Sequence, residues 1–187
     1  MRVLAYEAAE LPAELGGQVA ALEAAAWRGA SPGHDPALAP RALLLVGDDG
    51  TVAASLALLY KEIEVAGRTY RAAGLSAVVT RAELRGRGLG GRLVAAARAA
   101  LAADPAVDLA LFSCDQPLTA FYEAAGFTRL PGTVLVGGTP AEPLATDEPG
   151  FDKEVLAAFF TDTPDRDRAA FTGVRVPLHP GNTDRLW

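Results

Sequence analysis

What this chain has little of narrows its function first. It holds one cysteine, Cys114, in 187 residues, so no internal disulfide forms and no cysteine-rich zinc site is built. Its two histidines, His34 and His179, stand far apart without HExxH or a comparable ligand spacing, and no metal is expected. Basic side chains are outnumbered, 17 Lys and Arg against 23 Asp and Glu; the net charge of −6 argues against a nucleic-acid surface and favours a cationic or amine partner. No apolar run approaches the roughly 20 residues that span a bilayer. The start, MRVLAYEAAELPAEL, lacks the basic segment and long apolar core of a secretory signal, so a cytoplasmic location without a membrane partner is expected.

Half of the residues are apolar, and the length suits one domain over residues 1–187. A weakly alternating strand at 3–6 precedes a helix carrying Leu15, Val19, Leu22 and Trp27. Residues 29–40, GASPGHDPALAP, form a breaker-rich loop in which His34 and Asp35 either contact substrate or are solvated. Two long apolar runs, 42–46 and 51–65, flank Asp49-Gly50, and a second turn at 66–68 leads into 69–80, predicting a three-stranded antiparallel meander. Glu62 and Glu64 share one face of its middle strand, where they either solvate that face or receive a cationic substrate. A helix at 93–101, a strand at 107–113, a short helix opened by Pro117 and closed by Gly126, and a strand at 133–136 follow. Strand, helix and strand in succession imply a right-handed parallel crossover. Beyond it, 137–149 reads as a loop, 151–160 as a helix covering one edge of the core, TDTPDRDR as a polar connection and 171–178 as a short strand.

The chemistry concentrates at 81–93, RAELRGRGLGGRL, where a strand passes into an alanine-rich helix. Glycines admit close approach of a ligand, and the first amides of a helix lack internal partners, so the stretch suits a phosphate. It satisfies two patterns. Gly86, Gly88 and Gly91 form the dinucleotide fingerprint G-x-G-x-x-G, while Arg85, Gly88 and Gly90 form the acyl-CoA signature R-x-x-G-x-G. The preceding meander and the intervening RAELR disfavour a dinucleotide fold, although Asp115 could stand in for its ribose-binding acid. A P-loop is excluded because no Gly-Lys-Ser/Thr follows.

Meander, R-x-x-G-x-G, helix, strand and FYEAAGF, in that order, resemble the GNAT superfamily of acetyl-CoA-dependent N-acyltransferases over residues 3–136. The resemblance implies one α/β domain whose mixed, mostly antiparallel sheet is flanked by helices and contains a splayed central strand pair. It implies that Val78, Val79 and Thr80 offer free backbone to pantetheine. Arg85, Gly86, Arg87, Gly88, Leu89, Gly90 and Gly91 would then hold the pyrophosphate. Tyr122 would protonate the departing thiolate in a direct transfer to an amine. Cys114 reads as a buried strand residue, and a homodimer is among the states that relatives adopt.

TRAELRG, FYEAAGF and the final Asp184-Arg185-Leu186-Trp187 are similar to the aminoglycoside 2'-N-acetyltransferases, which implies that Asp184 and the Trp187 carboxylate join His34, Asp35 and Glu62 around an acceptor. Three features differ. Ser76 stands where those enzymes carry a glutamate base; it positions a water at most. The terminal aspartate is one residue farther from the end, and 137–170 looks like an insertion or extension before the last strand. Ser76 also keeps open a non-catalytic acyl-CoA-binding module, and other acceptors (a polyamine, an amino acid, a protein N-terminus) remain alternatives to an aminosugar.

Overall fold

The expected meander is present, with a fourth strand on its outside. In a computed structural model, which describes residues 1–27, 33–139 and 141–178, β1 (Arg2–Glu7), β2 (Arg41–Val46), β3 (Val52–Val65) and β4 (Arg68–Thr80) pair antiparallel in sequence order. The pattern within β3 records how it is covered. Val52 to Leu59 is buried at every position, and apolar at all but Ser55, because both faces are packed, whereas Ile63 and Val65 alternate with exposed Glu62 and Glu64, where one face meets solvent.

Between β1 and β2 lies α1 (Ala13–Ala26), whose Leu15, Val19 and Leu22 pack against Leu44, Val46, Val52 and Val79 on one face of the sheet. Trp27, read from the sequence as the last apolar position of this helix, stands just past its end and is 42 % exposed. The opposite face is covered by α2 (Leu89–Ala103), which buries Leu93, Val94, Ala97 and Leu101 at helical spacing, and by the short α3 (Thr119–Glu123). β5 (Leu109–Asp115) returns parallel to β4, completing the expected crossover.

The second half departs from the sequence reading. Instead of a helix over 151–160 there is a strand, β9 (Lys153–Phe159), inserted between β5 and β6 (Thr128–Arg129), so the seven-stranded order is β1-β2-β3-β4-β5-β9-β6. Val155 and Ala157 face one core while Leu156 and Ala158 face the other. A strand buried on both sides has an unbroken apolar run, which periodicity does not separate from a buried helix. Residues 153–159 of the expected insertion are thus integral to the main sheet. The TDTPDRDR connection likewise contains a helix, α4 (Pro164–Phe171), started by proline with Asp165 and Asp167 in its first turn. A second sheet, β10-β7-β8, unites β7 (Val134–Gly138), β8 (Pro143–Ala145) and β10 (Arg175–Pro177) on the α1 side. Its Leu135 and Val176 share a core with Leu59, Ile63 and Phe171. Among the described residues no helix is long and apolar enough to cross a membrane.

One buried carboxylate ties α4 to the sheet. Asp167, 2 % exposed, accepts hydrogen bonds from Arg68 Nη1 at 2.9 Å and Tyr70 Oη at 3.0 Å, and further ones from Thr161 and Thr163. Burial acts to raise its pKa, but the hydroxyl donors and the Arg68 charge together outweigh burial and hold the carboxyl below its ordinary value. A folded-state pKa below the unfolded one stabilises the protein above about pH 4, and that stabilisation is lost as pH falls through the folded value. Asp167→Asn is therefore expected to cost about 3 kcal/mol at pH 7, a melting-temperature loss of about 6–12 °C, with the difference from wild type shrinking below pH 4 in thermal melts.

Candidate active site

β4 and β5 touch only at their beginnings. Their ladder consists of Ala72 with Leu109 and Ala73 with Ala110, after which β4 continues to Thr80 on β3 alone and β5 continues to Asp115 on β9 alone. Four residues beyond the last shared pair, β4 carries a bulge. Ser55 pairs with Val79 and Ala57 with Ser76, so Ala77 and Val78 together oppose Leu56, and Ala77 takes a positive φ of 49°. A bulge turns the strand beyond it and strengthens its twist, which swings the end of β4 off β5. The result is a wedge between two strands, each presenting one row of backbone groups without a strand partner.

The glycine stretch closes the wide end of this wedge. Gly88 is the N-cap of α2 in the left-handed region, φ 73°, and no side chain caps the helix, leaving its first amides unclaimed by side chains. Gly90 sits where a Cβ would lie 2.7 Å from Thr80 Oγ1 and 3.4 Å from Phe121 Cζ, so only glycine lets α2 approach both β4 and α3 this closely. The arginines differ in role. Arg81 binds the Val52 carbonyl and Arg92 that of Met1. Arg85 donates from Nε to the Thr80 carbonyl at 3.1 Å, occupying one of the backbone groups expected to be free. Arg87 is exposed and has no hydrogen-bond or ion-pair partner among the described residues.

Across the wedge stands Tyr122, 6 % exposed, on α3. Its ring meets Phe112 of β5 and Phe121 edge-on, each at a centroid distance of 4.9 Å. The contacts run from Thr80 through Gly90 and Phe121 to Tyr122 and so join β4, α2, α3 and β5 around one opening. Burial first, then the neighbouring Cys114 and Asp115, push the phenol far above its ordinary pKa, so it is a neutral hydroxyl at any working pH. Cys114 is 5 % exposed, and burial raises its thiol too, making it a poor nucleophile. Asp115 at the end of β5 was weighed from the sequence only as a ribose-binding acid. Here it is paired with Lys153 Nζ at 2.6 Å and influences both Cys114 and Tyr122. Lys153 comes from β9, which was read as helix, so no sequence signal joined the two.

Ser76 lies on the other face of the sheet. Leu75 packs with α2 and α3, and Ala57, the partner of Ser76, packs on the side of the second sheet, so Ser76 and Tyr122 flank the wedge from opposite faces. The loop carrying His34 and Asp35 is on the Ser76 side, because Leu38 packs with Ala57 and Leu59. Asp35 caps its own turn by accepting from the Ala37 amide at 2.9 Å. Glu62 is not brought to this place. It pairs with Arg71, five residues along β3 from Ala57, roughly 17 Å away at strand rise, and points to the α2 face. Asp184 and Trp187, with His179, lie outside the described residues.

Comparisons agree with this geometry. A family model of the acetyltransferase (GNAT) domain matches residues 17–130. Among solved structures, Escherichia coli ElaA is similar at a TM-score of 0.60 and 16 % identity, covering 84 % of this chain and 99 % of that one. YhbS, a GNAT family N-acetyltransferase from Escherichia coli solved in complex with CoA, is similar at 0.61 and 19 %, covering 96 % and 91 %. An acyl-CoA N-acyltransferase from Pseudomonas aeruginosa gives 0.55 and 17 %, covering 84 % and 99 %. At such identities these likenesses are of fold. No curated protein matches significantly.

The Tyr122 environment has a measurable consequence. A phenol whose folded pKa is raised stabilises the protein below the unfolded value, about pH 10, and the stabilisation is lost as pH rises above it. Urea unfolding between pH 9 and 11 should show wild-type stability falling, and Tyr122→Phe should remove part of that slope, with the remainder due to Tyr60 and Tyr70, which burial also raises.

Proposed function

The chain belongs to the GNAT acetyltransferase family, and on that premise we propose that it transfers the acetyl group of acetyl-CoA to a primary amine of a small molecule. The observation that carries this reading is the β4–β5 wedge, with the uncapped N-terminus of α2 at its mouth and Tyr122 across it. The residues fit the coenzyme. Gly86 to Gly91 offer amides and close approach to a pyrophosphate, Arg87 and Arg85 add positive charge, and the backbone of Val78, which has no partner on β3, suits the amides of pantetheine, with Val79 beside it paired to Ser55. Because Arg85 already engages the Thr80 carbonyl, Thr80 contributes its amide and side chain rather than that oxygen. When bound, acetyl-CoA supplies the thioester to be cleaved.

In the proposed reaction the neutral amine attacks the thioester carbon, a backbone amide at the bulge of β4 polarises the carbonyl oxygen, and the carbon–sulfur bond breaks. Tyr122 Oη gives its proton to the leaving sulfur and regains one through water as the new amide nitrogen sheds its surplus proton. The proton of the incoming ammonium leaves on the Ser76 side, through water that Ser76 orients; Asp115 at the rim is a carboxylate that such water can reach. His34, Asp35 and the terminal Asp184 and Trp187 are assigned to acceptor binding, and Glu62 is dropped from that set because of its distance along β3. An aminosugar of aminoglycoside type heads the acceptors to try, on the strength of TRAELRG, FYEAAGF and the terminal tryptophan.

Ser76 in place of a carboxylate favours a second reading, a CoA-binding module without catalysis. Thiol release from acetyl-CoA against a panel of aminoglycosides, polyamines and amino acids separates the two. Turnover with at least one amine is expected, and tight CoA binding without turnover on any amine would sink the enzyme reading. Tyr122→Phe should lower kcat by about 100-fold or more while leaving the KM for acetyl-CoA within about twofold; an unchanged kcat removes Tyr122 as the acid.

A further inference from the structure

Most described arginines outside the glycine stretch have a carboxylate at hand: Arg41 with Glu7, Arg68 with Asp167, Arg71 with Asp108, Arg129 with Glu154 and Arg175 with Asp147. Arg2, Arg98, Arg166 and Arg168 have none among the described residues, and of these Arg98 and Arg168 line one cavity of about 160 Å³. The cavity lies at the outer edge of the main sheet. There β6 pairs only Thr128 with Ala157 and Arg129 with Leu156, leaving Ala158 and Phe159 of β9 without a strand on that side. Arg98 comes from the middle of α2, nine residues and about 13 Å along the helix from Leu89, so the cavity is separate from the glycine stretch.

The guanidinium of Arg98 is held rather than loose. It lies over the Phe160 ring at 6.0 Å, and it packs so close to Gly126 that a Cβ there would be 3.1 Å from Nε and 3.3 Å from Cδ and Cζ. Gly126 also has a positive φ of 92°, so the close of α3 both turns the chain and leaves room for this side chain. Yet Arg98 Nε is buried and has no acceptor among the described residues. A buried charged donor without an acceptor is costly, and the guanidinium that carries it also lines the cavity, where its donors meet the requirement for binding an oxyanion. Arg168 adds a second cation and Thr128 a hydroxyl, while Asp165, the one carboxylate of the lining, opposes them, leaving a net positive pocket in a chain of net charge −6.

We propose that this cavity is a binding site for a small oxyanion, a phosphate or a carboxylate, held by Arg98 and Arg168 and independent of the acyl-CoA cradle. A two-oxygen anion accepts from the guanidinium groups of Arg98 and Arg168 together, which chloride, a single point acceptor, does not. The proposal does not rest on the acetyltransferase reading.

The test is calorimetric titration of the intact protein with sodium phosphate and, separately, sodium succinate, at constant ionic strength set with sodium chloride and with CoA present at saturation so that the glycine stretch is blocked. Saturable binding of at least one anion is expected. Phosphate alone assigns a phosphoryl ligand, and succinate alone a carboxylate. Arg98→Gln and Arg168→Gln should each weaken binding roughly tenfold, Asp165→Asn should strengthen it severalfold, and Arg87→Gln should leave it unchanged. Because Arg168 and Asp165 sit on the outer face of α4, their variants keep the test valid if Arg98→Gln fails to fold. Absence of saturable binding of either anion, or binding indifferent to Arg168→Gln and Asp165→Asn, overturns the proposal.

Discussion

Two residue pairs, Ala72 with Leu109 and Ala73 with Ala110, are the whole ladder between β4 and β5, clamped at its start by Asp108, which donates its amide to the Arg71 carbonyl and pairs with the Arg71 guanidinium, and the remaining architecture makes that short contact sufficient. Parallel pairing is the weaker kind per residue, and a strand that leaves its neighbour must find its hydrogen bonds elsewhere. β4 finds them on β3, in a ladder that runs from Val65–Arg68 to Ala54–Thr80. β5 finds them on β9, which pairs with it along its whole length from Leu109–Phe159 to Asp115–Lys153. The wedge is thus an opening between two antiparallel blocks, each complete without the other. A gap built this way keeps its shape before any ligand arrives, which lowers what binding must otherwise spend on ordering.

The closed end of the wedge is reinforced by the C-terminal third of the chain. Asp167 gathers Arg68 and Tyr70 from the beginning of β4, Tyr70 meets Phe171 edge-on at 5.1 Å, and Lys61 Nζ donates to the Leu178 carbonyl at 3.0 Å. All of these contacts lie at the end of the β3–β4 hairpin remote from the bulge. Rigidity is concentrated where the strands must stay together, and the strain of a positive φ at Ala77 is placed where they must separate.

The sequence shows some of this plainly and hides the rest for identifiable reasons. The meander was legible because Asp49-Gly50 and Ala66-Gly67 punctuate long apolar runs. The cradle was legible because glycines and arginines crowd one strand-to-helix junction, and Tyr122 because it lies in a motif at fixed spacing from that junction. β9 is not legible: VLAAFF, residues 155–160, is apolar without interruption, and only the partners on its two edges, β5 and β6, distinguish strand from helix. Asp167 was overlooked because an aspartate in a polar segment is ordinarily solvated, and nothing local shows that Arg68 and Tyr70, about 100 residues earlier, converge on it. Separation in sequence likewise concealed the Asp115–Lys153 pair, 38 residues apart, and the juxtaposition of Arg98 and Arg168.

The charge states around the wedge constrain what chemistry it can perform. Tyr122 is held neutral by burial, and Cys114 is held as a thiol for the same reason. Among the described residues Ser76 has no ionisable partner, and the rim carboxylate Asp115 is balanced by Lys153. A covalent route through Cys114 would need a thiolate, yet the burial that surrounds this residue opposes ionisation, and a nearby carboxylate opposes it further. A direct route asks less of the protein: two backbone rows to position the reactants, one neutral hydroxyl to donate a proton, and a path for the amine's proton to water on the opposite face. Ser76 and Tyr122 look out from opposite sides of the same opening, so in the proposed reaction donor and acceptor would enter from different faces and the two proton transfers need not share a site. Under that proposal the parted strands serve both as the binding cleft and as the partition between the two proton transfers.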